Sequence, residues 1–339
     1  MNSEILLSIV IPVFNEEPNI EPLVDRCLAA AYGIKEPFEI ILVNDGSEDA
    51  SRKKITQAAE SHPGEVIGVM LNRNYGQHAA VMAGLELSRG EIVVTLDADL
   101  QNPPEEIPRL VAKIREGHDV VGTVRADRQD SFFRRAASSL TNRVVRHYTG
   151  VHMTDYGCML RAYRRHIVTA MLQCREHSTF IPVLANSFAG KAVEIPVMHA
   201  QRSGGESKYS LWKLINLQFD LLTSMSTLPL RLLSLLGVLV AGTGIGFGLF
   251  LGLMRLVFGS EWAVQGVFSL FAMLFIFIGL QFIGMGLLGE YLGRIYHDVR
   301  DRPRYFVEKV VGGSAVEELY GDETHTILYS LNQKKEAMP

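Results

Sequence analysis

Cysteine is scarce: Cys27, Cys158 and Cys174 are the only three in 339 residues, and no two stand in a Cys-x-x-Cys pair. That spacing argues against a redox or thiolate-metal role and fits a reducing compartment, with all three as small buried apolar side chains. A positive surplus is lacking too. The chain has 33 Lys and Arg against 37 Asp and Glu, a formal net charge of -4, so general nucleic-acid binding is not expected. No secretory signal is expected, because the apolar run Ile5 to Val13 is short and carries neither a basic flank nor a small-residue cleavage site. There is no internal repeat and no low-complexity linker, and the last stretch of the chain is polar.

Long apolar runs are present, and late. Leu232 to Met254 and Trp262 to Gly289 carry no Asp, Glu, Lys or Arg. A helix of about 20 apolar residues crosses a ~30 Å hydrocarbon core, so both runs are read as spans (about 232–254 and 262–289). The short connector Arg255 to Glu261 makes them a hairpin over 232–290. Lys213 and Arg231 precede it, Arg294, Arg300, Arg302, Arg304 and Lys309 follow it, and only Arg255 lies between. The positive-inside rule then places both termini in the cytoplasm. The stretch 211–231 has apolar residues at roughly helical spacing from Leu214 to Met225, with Lys213 and Asp220 among them. It reads as an interfacial helix on the membrane or as an amphipathic helix packed on the soluble part. Pro229 suits a bend before the first span. Residues 291–339 form a cytoplasmic tail in this reading.

The soluble part, 1–210, alternates two patterns. Apolar, β-branched runs occur at Ser8 to Val13, Phe38 to Val43, Val66 to Leu71, Glu91 to Leu96 and Asp119 to Val124. Between them, Ile20 to Ala30, Ser51 to Glu60 and Gln77 to Ser88 have helical spacing. Such alternation predicts an α/β fold with a mostly parallel sheet and helices on both faces. Ligands of such sheets bind beyond the carboxyl ends of the strands, so the polar residues after each run are the candidates.

After the first run stand Pro12-Val13-Phe14-Asn15-Glu16, and after the second Asn44-Asp45-Gly46-Ser47. Glu16 and Asp45 each place a carboxylate where a nucleobase or ribose can donate to it, although Asp-Gly-Ser is also a common turn. After the third, Asn72-Arg73-Asn74-Tyr75-Gly76-Gln77-His78 leads into a helix, with Arg73 facing phosphate or the whole stretch acting as a capping turn. The fourth run ends in Thr95-Leu96-Asp97-Ala98-Asp99-Leu100-Gln101. In extended backbone, i and i+2 side chains share a side, so Asp97 and Asp99 converge on one divalent cation. Mg²⁺ and Mn²⁺ favour such oxygen donors and complete their shells with water and phosphate. Asn102-Pro103-Pro104-Glu105-Glu106 then opens a helix with proline in its first turn.

Two basic segments follow. Arg125, Arg128, Arg134 and Arg135 are interspersed with Asp127 and Asp130, a cluster that either serves the site or is plain surface charge. The stretch His199 to Tyr209 is rich in Gly and Ser and holds Arg202, Ser207 and Lys208 just ahead of the membrane segments. It suits a lid over phosphates. A polar site beside a membrane hairpin points to a lipid acceptor.

Together these stretches resemble the family 2 glycosyltransferases of GT-A (Rossmann-like) fold, and among them the polyprenyl-phosphate glycosyltransferases. The likeness runs from Ser8 to about Val307. It is most particular at Leu71 to His78, Thr95 to Pro108, Asp155 to Arg165 and Ser178 to Pro182. The resemblance implies inverting, metal-dependent transfer of a single sugar, 4-deoxy-4-formamido-L-arabinose, from a UDP-sugar donor to undecaprenyl phosphate. It implies the cytoplasmic face of a bacterial inner membrane, a role in lipid A modification and polymyxin resistance, and a homo-tetramer in the bilayer. Carried over by position, Asp97 and Asp99 hold diphosphate and Mn²⁺ or Mg²⁺, with Gln101 as a further metal ligand. Pro12, Glu16, Asp45, Arg73, Arg125, Arg128 and Ser207 contact the donor. Asp155 serves as base or acceptor-positioning group, and Arg202 and Lys208 bind phosphate during catalysis. Asn44 departs from the pattern, since relatives commonly carry a second acid before Asp-Gly-Ser. The Gln-x-x-Arg-Trp signature of processive synthases is absent, as single-sugar transfer requires.

The acceptor chemistry agrees. A phosphate monoester, with second pKa near 6, is already ionised at pH 7, so positioning and charge stabilisation suffice without a strong base. Two alternatives stand beside this reading. One is a sister enzyme using UDP-glucose or GDP-mannose, and the other a non-catalytic nucleotide-binding membrane scaffold.

Overall fold

The computed structural model describes residues 5–125, 158–174, 180–197, 228–258, 267–299 and 303–312. The chain divides into two units, 1–208 with 302–339, and 209–301.

The first unit is built on an eight-stranded sheet. Its strands are β1 (Leu7–Val13), β2 (Phe38–Asn44), β3 (Val66–Leu71), β4 (Ile92–Thr95), β5 (Val120–Arg125), β6 (Arg161–Arg164), β7 (Ala192–Val197) and β8 (Val307–Val311). They lie in the order β7-β5-β6-β4-β1-β2-β3-β8. Every residue of β1, β2, β3 and β4 is buried. Continuous apolar runs of this kind belong to strands covered on both faces. α1 (Ile20–Tyr32), α2 (Ser51–Ser61) and α4 (Ile107–Arg115) pack on one face. α3 (Gln77–Leu87), α5 (Arg165–Gln173) and α6 (Ile181–Phe188) pack on the other. Burial of Ile20, Leu23, Val24, Cys27, Leu28 and Ala31 traces the inward stripe of α1 at helical spacing. In α3, Gly84 touches the centre of the sheet, where an added Cβ would sit 2.3 Å from Val10 Cγ1. That absence of a side chain draws α3 onto β1 and fixes where its first turn can lie.

The expected five strands and three helices are therefore present, but the sheet is mixed. β1 pairs in parallel with β2 and β4, β2 with β3, and β5 with β7. β6 runs antiparallel between β4 and β5, and β8 antiparallel beside β3. β8 lies within 291–339, the stretch expected from the sequence to be a tail. Its Glu308 carboxylate accepts from both terminal nitrogens of Arg52 at 3.1 and 3.0 Å, and Tyr305 just ahead of it donates to Glu86. Of the three cysteines, Cys27 and Cys158 are buried and Cys174 is half-buried. Cys158 is more than filler, with its Sγ 2.9 Å from Thr123 Oγ1 and 3.4 Å from Asn102 Oδ1.

The second unit contains α7 (Leu228–Phe258) and α8 (Val267–Val299), of 31 and 33 residues. Both outrun the apolar stretches that predicted them. Pro229 lies within α7, and the chain ahead of Leu228 is outside the described residues. Among the described residues one 18-residue stretch, Ile276–Gly293, is long and apolar enough to cross a membrane, with mean hydropathy 1.4. In α7 the apolar stretch is shorter, Leu233–Gly244. The amphipathic stretch Leu214 to Met225 lies outside the described residues.

Candidate functional site

Strand direction gathers the candidates. β1, β2, β3, β4, β5 and β7 all run the same way, so Val13, Asn44, Leu71, Thr95, Arg125 and Val197 end at one edge of the sheet. β6 runs oppositely and begins at that edge, with Arg161 paired to Thr95. The chain leaves the described region from this edge after Arg125 and after Val197, and re-enters beside it at Cys158.

The first two strand ends are tied to each other. Asp45 N donates to Val13 O at 2.9 Å. Asn15, held at a φ of 54°, bridges the two loops: its N–H donates to Ser47 Oγ at 3.0 Å, and its Oδ1 accepts from Glu48 N at 2.9 Å. Glu16 Oε2 accepts from Asn19 Nδ2 at 2.6 Å. Pro12 is buried within β1, opposite Val43, so its pyrrolidine ring is not open to a ligand. Asn44 is also buried, and its Oδ1 accepts from Ser47 N at 3.3 Å. The amide at this position shapes the turn.

Asp45 has a specific structural task. Its Oδ1 accepts from Tyr75 N at 2.7 Å and its Oδ2 from Gly76 N at 2.9 Å, so both oxygens grip the loop after β3. The residue is only 2% exposed. Burial pushes its carboxyl up, against the two backbone donors, which pull it down. Gly46 makes the grip possible: at a φ of 66°, any Cβ there would stand 2.3 Å from the Arg73 carbonyl carbon. Arg73 itself is exposed, with its guanidinium 4.6 Å from the centroid of the Tyr75 ring.

The two aspartates follow β4 closely. The strand ends at Thr95, Asp97 leads into a turn, and Asp99 lies within it. Both are half-buried, Ala98 between them is 4% exposed, and Leu100 takes a φ of 59°. Asp99 Oδ1 accepts from Gln101 N at 3.1 Å, an Asx turn that holds this carboxylate to its own loop. Gln77, exposed at the start of α3, donates from Nε2 to Asp97 Oδ1 at 2.6 Å. No group of three or more His, Cys, Asp or Glu placed to hold a metal occurs among the described residues. Two carboxylates in a tight turn fit a cation that takes its remaining oxygens from water and a bound diphosphate.

Arg125 ends β5 at the same edge. Asp155, Arg128, Arg202, Ser207 and Lys208 lie outside the described residues, as do Asp127 and Asp130. No local signal in the sequence marks Gln77, Asn15 or Arg161. Arg161 is fully buried where β6 begins, and donates from Nε to Cys158 O at 2.9 Å. His78, next to Gln77, packs edge-on against Phe180 with ring centroids 5.3 Å apart.

Comparison with known proteins gives the family. Residues 8–171 match the model of glycosyl transferase family 2. An undecaprenyl-phosphate 4-deoxy-4-formamido-L-arabinose transferase of Klebsiella pneumoniae is 60% identical over 305 residues, covering 90% of this chain and 93% of that protein. The transferase of the same name from Pectobacterium atrosepticum is 61% identical over 308 residues, covering 91% and 94%. Among solved structures, mannosyl-3-phosphoglycerate synthase from Rubrobacter xylanophilus is similar at a TM-score of 0.47 and 17% identity, over 69% of this chain and 75% of that one. With identity of this order sustained over nearly the whole chain, the protein belongs to the undecaprenyl-phosphate 4-deoxy-4-formamido-L-arabinose transferases of glycosyl transferase family 2.

Proposed function

We propose that this chain transfers 4-deoxy-4-formamido-L-arabinose from UDP to undecaprenyl phosphate with inversion, supplying the lipid-linked sugar for lipid A modification and polymyxin resistance. The observation that carries the reading is the Asp97-Ala98-Asp99 turn at the carboxyl edge of the sheet, two half-buried carboxylates flanking a buried alanine. Relatives at 60% and 61% identity bear the name of this activity.

In this reading Asp97 and Asp99, with Gln101, hold a Mg²⁺ or Mn²⁺ ion. Bound with the donor, the ion supplies charge neutralisation for the leaving diphosphate. The protein's own part is positional. The Asp45 grip fixes the loop that carries Arg73 beside the donor, and Asn15 locks the neighbouring turn where Glu16 lies. Arg125 and Arg128 serve the donor. Arg202, Ser207 and Lys208 draw donor and acceptor phosphates together, which raises the effective concentration of two anions that otherwise repel. The acceptor oxygen is already charged at pH 7, so Asp155 orients the acceptor and no strong base is required.

The same reading makes α7 and α8 a membrane hairpin. Along them Leu235, Val238, Leu249, Leu256, Ile276 and Phe282 are among many exposed large apolar side chains, a surface that water does not tolerate over such lengths. Connectivity supports an even number of crossings. The chain departs from the first unit, passes through α7 and α8, and returns as β8 to the sheet it left. Both ends of the hairpin then lie on one side of the membrane, cytoplasmic by the distribution of Lys and Arg. The homo-tetramer belongs to this reading through the family resemblance.

The test is transfer of radiolabel from a panel of UDP- and GDP-sugars to undecaprenyl phosphate, with Mn²⁺, Mg²⁺ or EDTA. Metal-dependent transfer of the formamido-arabinose alone is expected. Transfer of glucose or mannose in its place would overturn the sugar assignment, and binding of UDP without any turnover would favour a scaffold.

A further inference from the structure

Gln77 is a helix-start residue whose side chain makes a contact beyond its own helix. It is exposed, and its side chain has several rotatable bonds, so fixing it costs entropy that one surface hydrogen bond barely offsets. Stability alone does not account for its placement. Its Nε2 nevertheless reaches from the start of α3 to Asp97 Oδ1, at 2.6 Å, across two separate strand ends.

The backbone that delivers it is fixed on both sides. Ahead of Gln77, the Tyr75 and Gly76 N–H groups are held by the two oxygens of Asp45. Gly76 takes a φ of 94°, which turns the chain sharply into the helix. Behind Gln77, the close approach of Gly84 to Val10 seats α3 on β1. The strand ends of β2, β3 and β4 are thereby linked in one direction: Asp45 sets the loop, the loop sets Gln77, and Gln77 sets Asp97. Asp99 needs no such partner from another element, because Gln101 N orients it locally.

From this linkage we infer that Gln77 is a positioning residue, which orients the Asp97 carboxylate for a divalent cation. This inference rests on the reading of Asp97 as a metal ligand. An amide is suited to the task. It donates to one carboxylate oxygen without adding charge, whereas a lysine or arginine there would compete with the cation. Partners of metal ligands that act in this way typically change metal affinity by about 10- to 100-fold when removed.

The experiment uses full-length protein in detergent with saturating UDP, titrated with Mn²⁺ while free Mn²⁺ is followed by electron paramagnetic resonance. Wild type, Gln77→Ala and Asp97→Asn are compared, with a thermal melt of each. The expected result is Mn²⁺ binding weakened about ten-fold or more in Gln77→Ala at an unchanged melting temperature. In turnover the same variant should show a raised apparent KM for Mn²⁺, with kcat recovered at saturating metal. A merely structural hydrogen bond would shift the melt and leave the metal titration alone. Wild-type Mn²⁺ affinity in Gln77→Ala, with Asp97→Asn impaired, overturns the positioning role and leaves the ligand reading intact. Wild-type affinity in Asp97→Asn overturns the ligand reading itself.

Discussion

Replacing Asp45 by asparagine separates two tasks that a carboxylate at this place can have. In the structure its oxygens accept from Tyr75 N at 2.7 Å and Gly76 N at 2.9 Å. Asparagine keeps one acceptor and turns an NH₂ towards the second donor. A hydrogen bond to a charged group contributes about 1.5–3 kcal/mol net. Gly76 N also reaches Asn74 Oδ1 at 3.1 Å, so part of the loss is recovered if the amide turns its NH₂ towards Gly76. A cost of about 2 kcal/mol is expected, or a fall of roughly 4–8 °C in melting temperature at 2–4 °C per kcal/mol. The pH dependence has a definite sign. Burial raises the folded-state pKa of Asp45 above its ordinary value of 3.8. The folded protein therefore holds this proton more tightly than the unfolded chain does. The wild-type advantage is full below 3.8 and declines as pH rises through the raised value. The Asp45→Asn penalty should be larger at pH 4 than at pH 7. Thermal melts at both pH values, with UDP binding by calorimetry, make the test. An unchanged melting temperature together with lost UDP binding would refute the reasoning, because it would make Asp45 a ligand contact and not a loop clamp.

Two further outcomes are expected. Glu39 is fully buried at the opposite edge of the sheet, where its carboxylate accepts from Ser8 Oγ at 2.7 Å and from Arg89 N, Nε and Nη2 at 2.7–2.9 Å. Arg89→Ala should cost about 3–5 kcal/mol by uncovering that charge, seen in thermal melts, while kcat per folded molecule is unchanged. Single-cysteine variants at Lys53, on α2, and at Lys309, on β8, made in a background lacking the three native cysteines, should both label from the cytoplasmic side in membrane vesicles. Labelling from opposite sides would sink the even-crossing topology.

Much of this protein was legible in its sequence, because the signals are local. Apolar runs such as Ser8 to Val13 announce strands buried on both faces, and the carboxylates that follow them fall at one edge as parallel connection requires. The strands the sequence concealed are those whose pairing is remote. Arg161–Arg164 is short and charged, and becomes a strand because β4 and β5 offer edges on either side. Val307–Val311 lies beyond both long helices and finds β3 only in the folded chain.

The candidate site divides along the same line. Residue type and order placed Asp45, Asp97 and Asp99 at strand ends, since a side chain carries its chemistry wherever it lies. What each does there depended on neighbours distant in sequence. Asp45 reads as a ligand contact until the loop after β3 arrives to occupy both its oxygens. Gln77 reads as an ordinary helix-start residue until the fold sets it 2.6 Å from Asp97. Sequence determined which strands and acids exist, through short-range patterning of apolar and polar groups. Only the tertiary structure decided which of those acids tie one strand end to another, because hydrogen bonds between strand ends form across gaps that no local pattern encodes.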